Sequence, residues 1–232
     1  MKRSGINLIL RSAREFLAAH RFHLPPFAAW TPEQWRAKGP EASEIAEHQL
    51  GWDITDFGSG AFARRGLLLF TLRNGRPANL PSRPGKTYAE KIMVVAGGQV
   101  TPLHFHWQKT EDIINRGGGT LRVQLFNAQP DGELATTQIT VSLDGVVHTV
   151  PAGGTVGLHP GESITLPPGL YHTFWGEDRR VLVGEVSSVN DDRTDNRFHE
   201  SVGRFPQILE DEPPLHLLTM DYPDYYQPPT RP

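Results

Sequence analysis

The stretch GQVTPLHFHWQKTEDIINRGG, residues 98–118, joins a pair of histidines to a nearby glutamate. In an extended backbone residues i and i+2 point to the same face, so the imidazoles of His104 and His106 can aim at one point inside a barrel. Glu111 follows after four intervening residues, which is enough for a tight turn that returns a carboxylate to that point. The stretch therefore predicts part of a metal site built on β-strands.

A second stretch, GESITLPPGLYH at residues 161–172, supplies a third imidazole on another strand. Three imidazoles and one carboxylate form a mixed nitrogen and oxygen set that suits Mn²⁺, Fe²⁺, Co²⁺, Ni²⁺ or Zn²⁺ and leaves positions open for water or substrate. Ca²⁺ and Mg²⁺ prefer shells dominated by oxygen. His148 and His159 lack partners at ligand spacing and are expected to stay outside the site. We expect one divalent metal on four side chains: His104, His106, Glu111 and His172.

Around these stretches, the chain from about residue 52 consists of short β-branched or alternating runs divided by Gly, Pro, Asn and Asp. Such spacing indicates an all-β sandwich or barrel instead of βαβ units. Asp144-Gly145 is a strong signal for a hairpin turn. The runs are GLLLFTLRN (66–74), KIMVVAGG (91–98), TLRVQLFNA (120–128), TQITVSLDG (137–145), VVHTVPAGG (146–154), SITLPPG (163–169) and RVLVGEVSS (180–188).

The first fifty residues have the periodicity of helices. An apolar stripe at helical spacing predicts the first helix, and Thr31-Pro32-Glu33-Gln34 has the pattern of a capping box that begins a second. Glu41 to Leu50 predicts a third helix, closed by Gly51 in the C′ position. The stripe consists of Ile6, Ile9, Leu10, Ala13 and Leu17.

These patterns predict three parts of the chain. Residues 1–51 form a helical extension packed on the barrel, residues 52–205 form the barrel with its metal site, and residues 206–232 form a Pro- and Tyr-rich tail that wraps the surface or a partner. Within the barrel, residues 74–87 read as a Pro-, Gly- and Arg-rich loop.

The composition narrows the class of protein. A chain of 232 residues with a net charge of −3 fits one domain with extensions and gives no reason to expect nucleic acid or an anionic membrane as partner. Its lack of cysteine excludes disulfides and zinc–thiolate sites. The N-terminal apolar run is interrupted by Asn7, Arg11 and Arg14, unlike a signal peptide. A cytoplasmic protein is expected.

The two histidine stretches resemble the motifs of the cupin superfamily, glycine by glycine. From Gly98 the pattern is G-x5-H-x-H-x4-E-x6-G, and from Gly161 it is G-x5-P-x-G-x2-H. One departure is Gly176, where the second motif of the family usually has Asn. The resemblance implies the cupin fold, a double-stranded β-helix or jelly-roll barrel, and a homodimer, because cupins commonly pair through strand edges.

About residues 1–205 resemble the D-lyxose ketol-isomerase family of cupin sugar isomerases. The resemblance implies interconversion of D-lyxose and D-xylulose, and often of D-mannose and D-fructose, with Mn²⁺ as the usual metal and a monosaccharide as the partner. The segments that carry it are FHLPPFAAWTPEQW (22–35), GWDITDFGSG (51–60), HFHWQKTEDIINRGGG (104–119), LYHTFWGE (170–177) and GEVSSVNDDRTDNRF (184–198).

Ketol isomerisation moves a proton between C1 and C2 through an enediol, and Lys109 and Glu185 are the candidates for this transfer. Lys109 precedes Glu111 by two residues and shares its face if the segment is extended. Glu185 interrupts the apolar run of the last strand, where a carboxylate is costly unless it is paired or catalytic. A solvated lysine and a structural carboxylate paired with an arginine are the alternatives.

Substrate hydroxyls need polar contacts, and a sugar ring needs an apolar wall. The polar candidates are Lys91, Glu90, Asp191, Asp192, Asp195 and Arg197. The wall candidates are Trp52, Trp107, Phe174 and Trp175, for which plain core packing is the alternative. Because one fold hosts many functions, an iron-dependent cupin dioxygenase and a non-catalytic sugar-binding cupin stay open as alternatives.

Overall fold

A computed structural model describes residues 1–76, 85–203 and 206–228 of the chain. Most of the predicted loop at 74–87 and the end of the predicted barrel at 205 lie outside the described residues. The α-helices are α1 (Arg3–Ala19), α2 (Pro32–Arg36), α3 (Ser43–Glu47) and α4 (Tyr222–Tyr225). The strands are β1 (Gly51–Thr55), β2 (Leu67–Arg73), β3 (Tyr88–Val95), β4 (His104–His106), β5 (Glu111–Gly118), β6 (Leu121–Asn127), β7 (Ile139–Leu143), β8 (Val146–Val150), β9 (Thr155–Leu158), β10 (Ser163–Leu166), β11 (Leu170–Gly176), β12 (Val181–Ser188) and β13 (Asn196–Phe198).

The strands form two antiparallel sheets. One contains eight strands in the order β1-β2-β3-β12-β5-β10-β7-β8, and the other contains five in the order β13-β4-β11-β6-β9. A core that includes Ile113, Leu125 and Phe174 draws buried side chains from both sheets. Crossovers between sequence-distant strands and two facing sheets are the features of a jelly roll. The predicted all-β, cupin-type fold with an N-terminal helical extension is confirmed.

The predicted strand runs all contain a strand, and the hairpin turn is where the sequence places it. Asp144 and Gly145 have φ values of 49° and 83°, and they join β7 to β8 through the pair Leu143 and Val146. Such positive values at both central residues are those of a type I′ turn, which matches the twist of the flanking strands.

The third helix differs from its prediction. A 3₁₀ turn at Pro40–Ala42 precedes α3, and Gln49 takes the left-handed conformation (φ 54°) at the end of the helix. Gly51, predicted as the helix C′ residue, instead begins β1 with φ 119°. A Cβ at Gly51 would collide with the hydroxyl of Tyr222, so close packing explains this glycine better than helix capping does.

Gly176, where the sequence departs from the second cupin motif, lies at the end of β11. An ideal Cβ there would be 2.5 Å from the backbone oxygen of Arg179 and 3.1 Å from that of Ala96. Side chains larger than hydrogen do not fit beside two backbone carbonyls. The departure therefore reflects a close backbone approach in a turn, away from the histidines.

Helix α1 covers the outer face of the eight-stranded sheet. Ile6, Leu10 and Leu17 are buried in one apolar cluster with Trp52 and Phe70 of the sheet, as the helical stripe predicts. The capping box of α2 is present, with the Thr31 side chain accepting from the backbone of Gln34. Among the helices of the described residues, none combines the length and the apolar character that crossing a bilayer requires.

The C-terminal segment runs back along α1 of the same chain. Arg3, which is 2% exposed, donates to Glu210 at 2.7 Å and to the buried Asp221 at 2.8 Å. Asn7 donates its side-chain amide to the backbone oxygen of Pro213 and accepts from the backbone of Leu215. These bonds tie the tail to the helical extension, so the described part of the tail wraps the protein's own surface.

Replacing Arg3 with methionine should lower the free energy of unfolding by about 3 kcal/mol, because it leaves a buried carboxylate at Asp221 without its cation. Denaturant unfolding measures the change. The matched control is Arg65→Met, which removes an exposed pair with Glu200 and should cost less than about 1 kcal/mol. Equal losses in the two variants would contradict the role given to the buried pair.

Candidate metal centre and active site

Three histidines meet at one end of the barrel, between the sheets. His104 and His106 lie on β4, and His172 lies opposite His104 in the antiparallel pairing of β4 with β11. One ring nitrogen from each of the three lies within 4.8 Å of the others. Strand pairing thus brings together the histidine pair and the distant histidine that the sequence suggests as ligands.

Glu111, the first residue of β5, approaches the same point from the other sheet. Its Oε1 lies 3.0 Å from Nε2 of His172 and 3.4 Å from Nε2 of His106. Its Oε2 accepts from Nζ of Lys109 at 2.6 Å. One carboxylate oxygen therefore faces the histidines while a lysine holds the other.

The ring nitrogens fit a metal ion. Nδ1 of His104 lies 2.8 Å from the carbonyl of Pro102, and Nδ1 of His172 lies 3.0 Å from that of Leu170. Because a carbonyl only accepts, each Nδ1 carries the proton and each Nε2 presents a lone pair. Within the described part of the chain, the buried Nε2 of His172 has no hydrogen-bond partner despite its closeness to Glu111. A shared metal ion would satisfy that nitrogen.

Electrostatics favour unprotonated histidines here. Burial, reinforced by the neighbouring His172 and His106, holds the pKa of His104 well below its usual range. Burial also lowers the pKa of His106. Since only the neutral imidazole binds a metal, both rings are ready to act as ligands near neutral pH.

A row of buried charges adjoins the histidines. Nζ of Lys109 bridges Glu111 and Glu185, with 2.8 Å to Oε1 of Glu185. Lys91, paired with Glu185 across β3 and β12, brings its Nζ to 3.4 Å from the same Oε1. Ser187 also donates to that atom at 3.2 Å. Glu185 is therefore paired with two lysines. The alternative in which Glu185 is a structural carboxylate assumed pairing with an arginine.

The pKa values of this row follow from competition between burial and charge. Burial alone would lower the pKa of Lys109, but the carboxylates of Glu111 and Glu185 outweigh it and raise that pKa. Burial alone would raise the pKa of Glu185, but Lys109 and Lys91 outweigh it and lower that pKa. Glu111 is held well below its usual pKa, against its burial, chiefly by Lys109 and His106. Lys109, Glu111 and Glu185 are therefore charged at neutral pH.

A cavity opens onto the histidines and the charged row. Of the candidates named from the sequence, Lys91, Lys109, Glu185, Asp192 and Phe174 line it together with the metal-binding candidates His104, His106 and Glu111. Its apolar wall includes two phenylalanines that the sequence analysis missed, Phe57 and Phe198. Their rings meet edge to face at 5.9 Å, and Phe198 lies 5.5 Å from the ring of His104. Both belong to segments that carry the family resemblance, and that resemblance was the signal in the sequence that could have identified them.

The predicted tryptophan walls lie elsewhere, which corrects that part of the prediction. Trp52 is 2% exposed within the cluster under α1, and its indole donates to the carbonyl of Ala28. Trp107 is 56% exposed and packs edge to face on Phe105. Side chains alternate between the two faces along an extended segment, and both tryptophans are at positions that face away from the cavity.

Three charged candidates are also corrected. Asp191 caps its own turn through Arg193 and Thr194 and lies outside the cavity. Asp195 accepts from the backbone nitrogens of Gln108 and Lys109, so it shapes the turn before Glu111. Arg197 is exposed, because alternation on β13 turns it away from its cavity-lining neighbours Asn196 and Phe198.

Comparisons with known proteins identify a family for this chain. A family model described as D-lyxose isomerase matches residues 1–222. A D-lyxose/D-mannose isomerase of Serratia proteamaculans is 53% identical over 225 residues, covering 96% of this chain and 98% of that protein. A protein of the same description from Escherichia coli O157:H7 shows the same identity and coverage.

Among solved structures, a variant of L-ribose isomerase from Acinetobacter sp. DL28 in complex with L-ribose superposes with a TM-score of 0.60. It is 16% identical, and the match covers 90% of this chain and 98% of that one, so the likeness concerns the fold. The family match spans nearly the whole chain and includes both histidine stretches and the charged row. The chain belongs to the D-lyxose isomerase family.

Proposed function

We propose that this protein is a metal-dependent ketol-isomerase that interconverts D-lyxose and D-xylulose, and also D-mannose and D-fructose, through an enediol. One observation carries the proposal: a single cavity is lined by metal-binding candidates and by Glu185 held between two lysines. Ketol isomerisation needs an electrophile for two oxygens and a base for one proton, and the cavity brings together residues that could supply both. Family membership supports the choice of sugar.

Glu185 is the proposed base, and its contacts support Oε2 as the reacting oxygen. Lys109, Lys91 and Ser187 all contact Oε1. Among the described residues, none is hydrogen-bonded to Oε2, which leaves that oxygen to take the proton from C2 and return it to C1. The lysines orient the carboxylate and keep it ionised, as its lowered pKa requires.

The proposed metal ligands are His104, His106, Glu111 and His172. A divalent ion bound there would act as a Lewis acid toward the carbonyl and the adjacent hydroxyl of the sugar. We propose Mn²⁺, because a mixed nitrogen and oxygen set accommodates it and the family resemblance implies it. Lys109 holds Oε2 of Glu111, so that Oε1 faces the histidines.

The protein should form ketose from aldose in a metal-reconstituted assay against a panel of aldoses, with D-lyxose and D-mannose among the substrates converted. The assay is run without oxygen, with Mn²⁺, Co²⁺, Fe²⁺, Ni²⁺ and Zn²⁺ compared. Anaerobic turnover rules out the dioxygenase alternative, and any turnover rules out a non-catalytic binding protein. Absence of ketose with every metal and aldose would contradict the proposed function.

Phe198 should contribute to sugar binding, whereas Trp107 should not. Phe198→Ala is expected to raise KM about fivefold, the equivalent of about 1 kcal/mol of lost apolar contact. Trp107→Ala, which removes an exposed ring outside the cavity, should leave KM within about twofold. Steady-state kinetics on D-lyxose measure both, and a larger rise in KM for Trp107→Ala would refute the assignment of the wall.

We also propose a homodimer that pairs through strand edges. Strand β8 is the last strand of the eight-stranded sheet, and its Val146 and Val147 are exposed. An edge strand with apolar side chains favours pairing with another chain. Light scattering after size exclusion tests this, because a monomer mass at micromolar concentration would contradict it.

A further inference from the structure

Lys91 makes its closest polar contact with an amide, although two carboxylates lie nearby. Its Nζ is 2.6 Å from Oδ1 of Asn190, 3.4 Å from Oε1 of Glu185 and 3.7 Å from Oδ1 of Asp192. Electrostatic attraction alone would draw a buried ammonium group to a carboxylate first. Some other part of the structure must therefore hold the amide oxygen in front of Lys91.

Asn74 provides that support. It follows β2 directly, is buried, and binds the backbone of Asn190 at both polar atoms. Its Oδ1 accepts from the Asn190 backbone nitrogen at 2.9 Å, and its Nδ2 donates to the Asn190 carbonyl at 3.0 Å. The side chain of Asn74 thus acts as a strand partner would, and it fixes the backbone position of one residue in the β12–β13 loop.

The helical extension anchors Asn74 in turn. Nδ1 of His48, at the end of α3, lies 2.7 Å from the backbone carbonyl of Asn74. A chain of hydrogen bonds therefore leads from the extension through Asn74 and Asn190 to Lys91. The amide of Asn190 must point its oxygen at the lysine, since an ammonium group only donates.

We propose that Asn190 is a positioning residue that holds Lys91 away from Glu185, and that Asn74 fixes Asn190 for this purpose. The inference rests on the proposed function, in which Glu185 is the base. A neutral acceptor satisfies the buried ammonium group of Lys91 without closing a second short ion pair on the base. Lys91 then contributes its charge to the cavity at a distance, and the carboxylate of Glu185 stays reactive.

Asn190→Leu removes the acceptor at nearly constant size, and Asn190→Asp is the matched control that keeps an oxygen in the same place. In a crystal structure of the metal-free Leu variant, we expect the distance from Lys91 Nζ to Glu185 Oε1 to shorten to below about 3.0 Å. In the reconstituted enzyme, kcat on D-lyxose should fall about tenfold or more while KM stays within about threefold. The Asp variant should keep the distance from Lys91 Nζ to Glu185 Oε1 close to the 3.4 Å of the parent, because its oxygen still accepts from Lys91.

Asn74→Ala tests the same inference from outside the cavity and should lower kcat in the same direction. An unchanged Lys91–Glu185 distance in the Leu variant, an unchanged kcat of that variant, or equal shortening of the distance in the Leu and Asp variants would each overturn the proposal. The parent protein is assayed first. If the parent does not isomerise, the proposed function fails, and the distance in the metal-free Leu variant still decides whether Asn190 holds Lys91.

Discussion

Glu185→Gln should lower kcat for aldose–ketose conversion by about 10²- to 10⁴-fold, the range that a positioned general base contributes. Glutamine keeps the size of the side chain and an oxygen that can accept from Lys109, which donates to Oε1 at 2.8 Å. What it removes is the charge of the oxygen that we propose takes the proton from C2. KM and metal content should therefore stay close to those of the parent, since neither sugar contacts nor metal-binding side chains change.

The matched control is Glu90→Gln, on the neighbouring strand. Glu90 lies opposite Val186 in the register of β3 with β12, and it pairs with Arg73 instead of lining the cavity. The same chemical change one residue away from Lys91 should leave kcat within about twofold. Full activity of Glu185→Gln, or equal losses in the two variants, would remove Glu185 from the mechanism.

His172→Ala should weaken metal binding by at least about 100-fold, because losing a ligand costs more than the 10- to 100-fold that losing an outer-shell contact costs. The ring is 1% exposed, and its Nε2 lies 3.0 Å from Oε1 of Glu111, so neighbouring side chains have little room to replace it. Metal content after dialysis and titration calorimetry of the metal-free protein measure the loss. Isomerase activity should disappear with the metal.

His148→Ala is the control for this variant. His148 is an exposed residue of β8, outside the cavity that His104 and His106 line. Its replacement should leave metal content and turnover unchanged. Full metal occupancy in His172→Ala, or loss of metal in His148→Ala, would mean that the ligand set is wrong.

Local spacing predicted the metal-binding candidates because each motif is short. His104 and His106 need only the alternation of one strand, and Glu111 needs only the turn that follows it. The meeting of these side chains with His172 depends on strand pairing that sequence alone does not display. For His172, the family resemblance supplied the link to the other ligands that the periodicity of the sequence does not show.

The strands that escaped prediction are those whose patterns the site or the fold alters. Strand β5 alternates in burial but directs Glu111 and Asn115 inward with Ile113, so its sequence lacks the usual alternation of apolar and polar residues. Strand β1 is buried at every position, because helices cover one face and the barrel the other. Strand β13 has only three residues, too few for a periodic signal.

The substrate contacts were the least predictable part of the site. Trp52 was a reasonable wall by residue type, but a shift of one residue along a strand moves a side chain to the opposite face. Asn190 and Phe198 lie in a segment that the sequence analysis singled out for its charges, although neither residue is charged. Their roles follow from which strands neighbour them, which is a property of the fold.

We propose that Glu185 moves a proton between C1 and C2 of an aldose bound in the cupin barrel. Incubation of the reconstituted protein with D-lyxose in D₂O, followed by NMR of the product, tests it most directly. An enediol route with a carboxylate base predicts D-xylulose that gains solvent deuterium at C1 over repeated turnovers, because the proton held by Glu185 can exchange before it returns, and almost no product from Glu185→Gln. Formation of no D-xylulose, or undiminished formation of D-xylulose by Glu185→Gln, would contradict it.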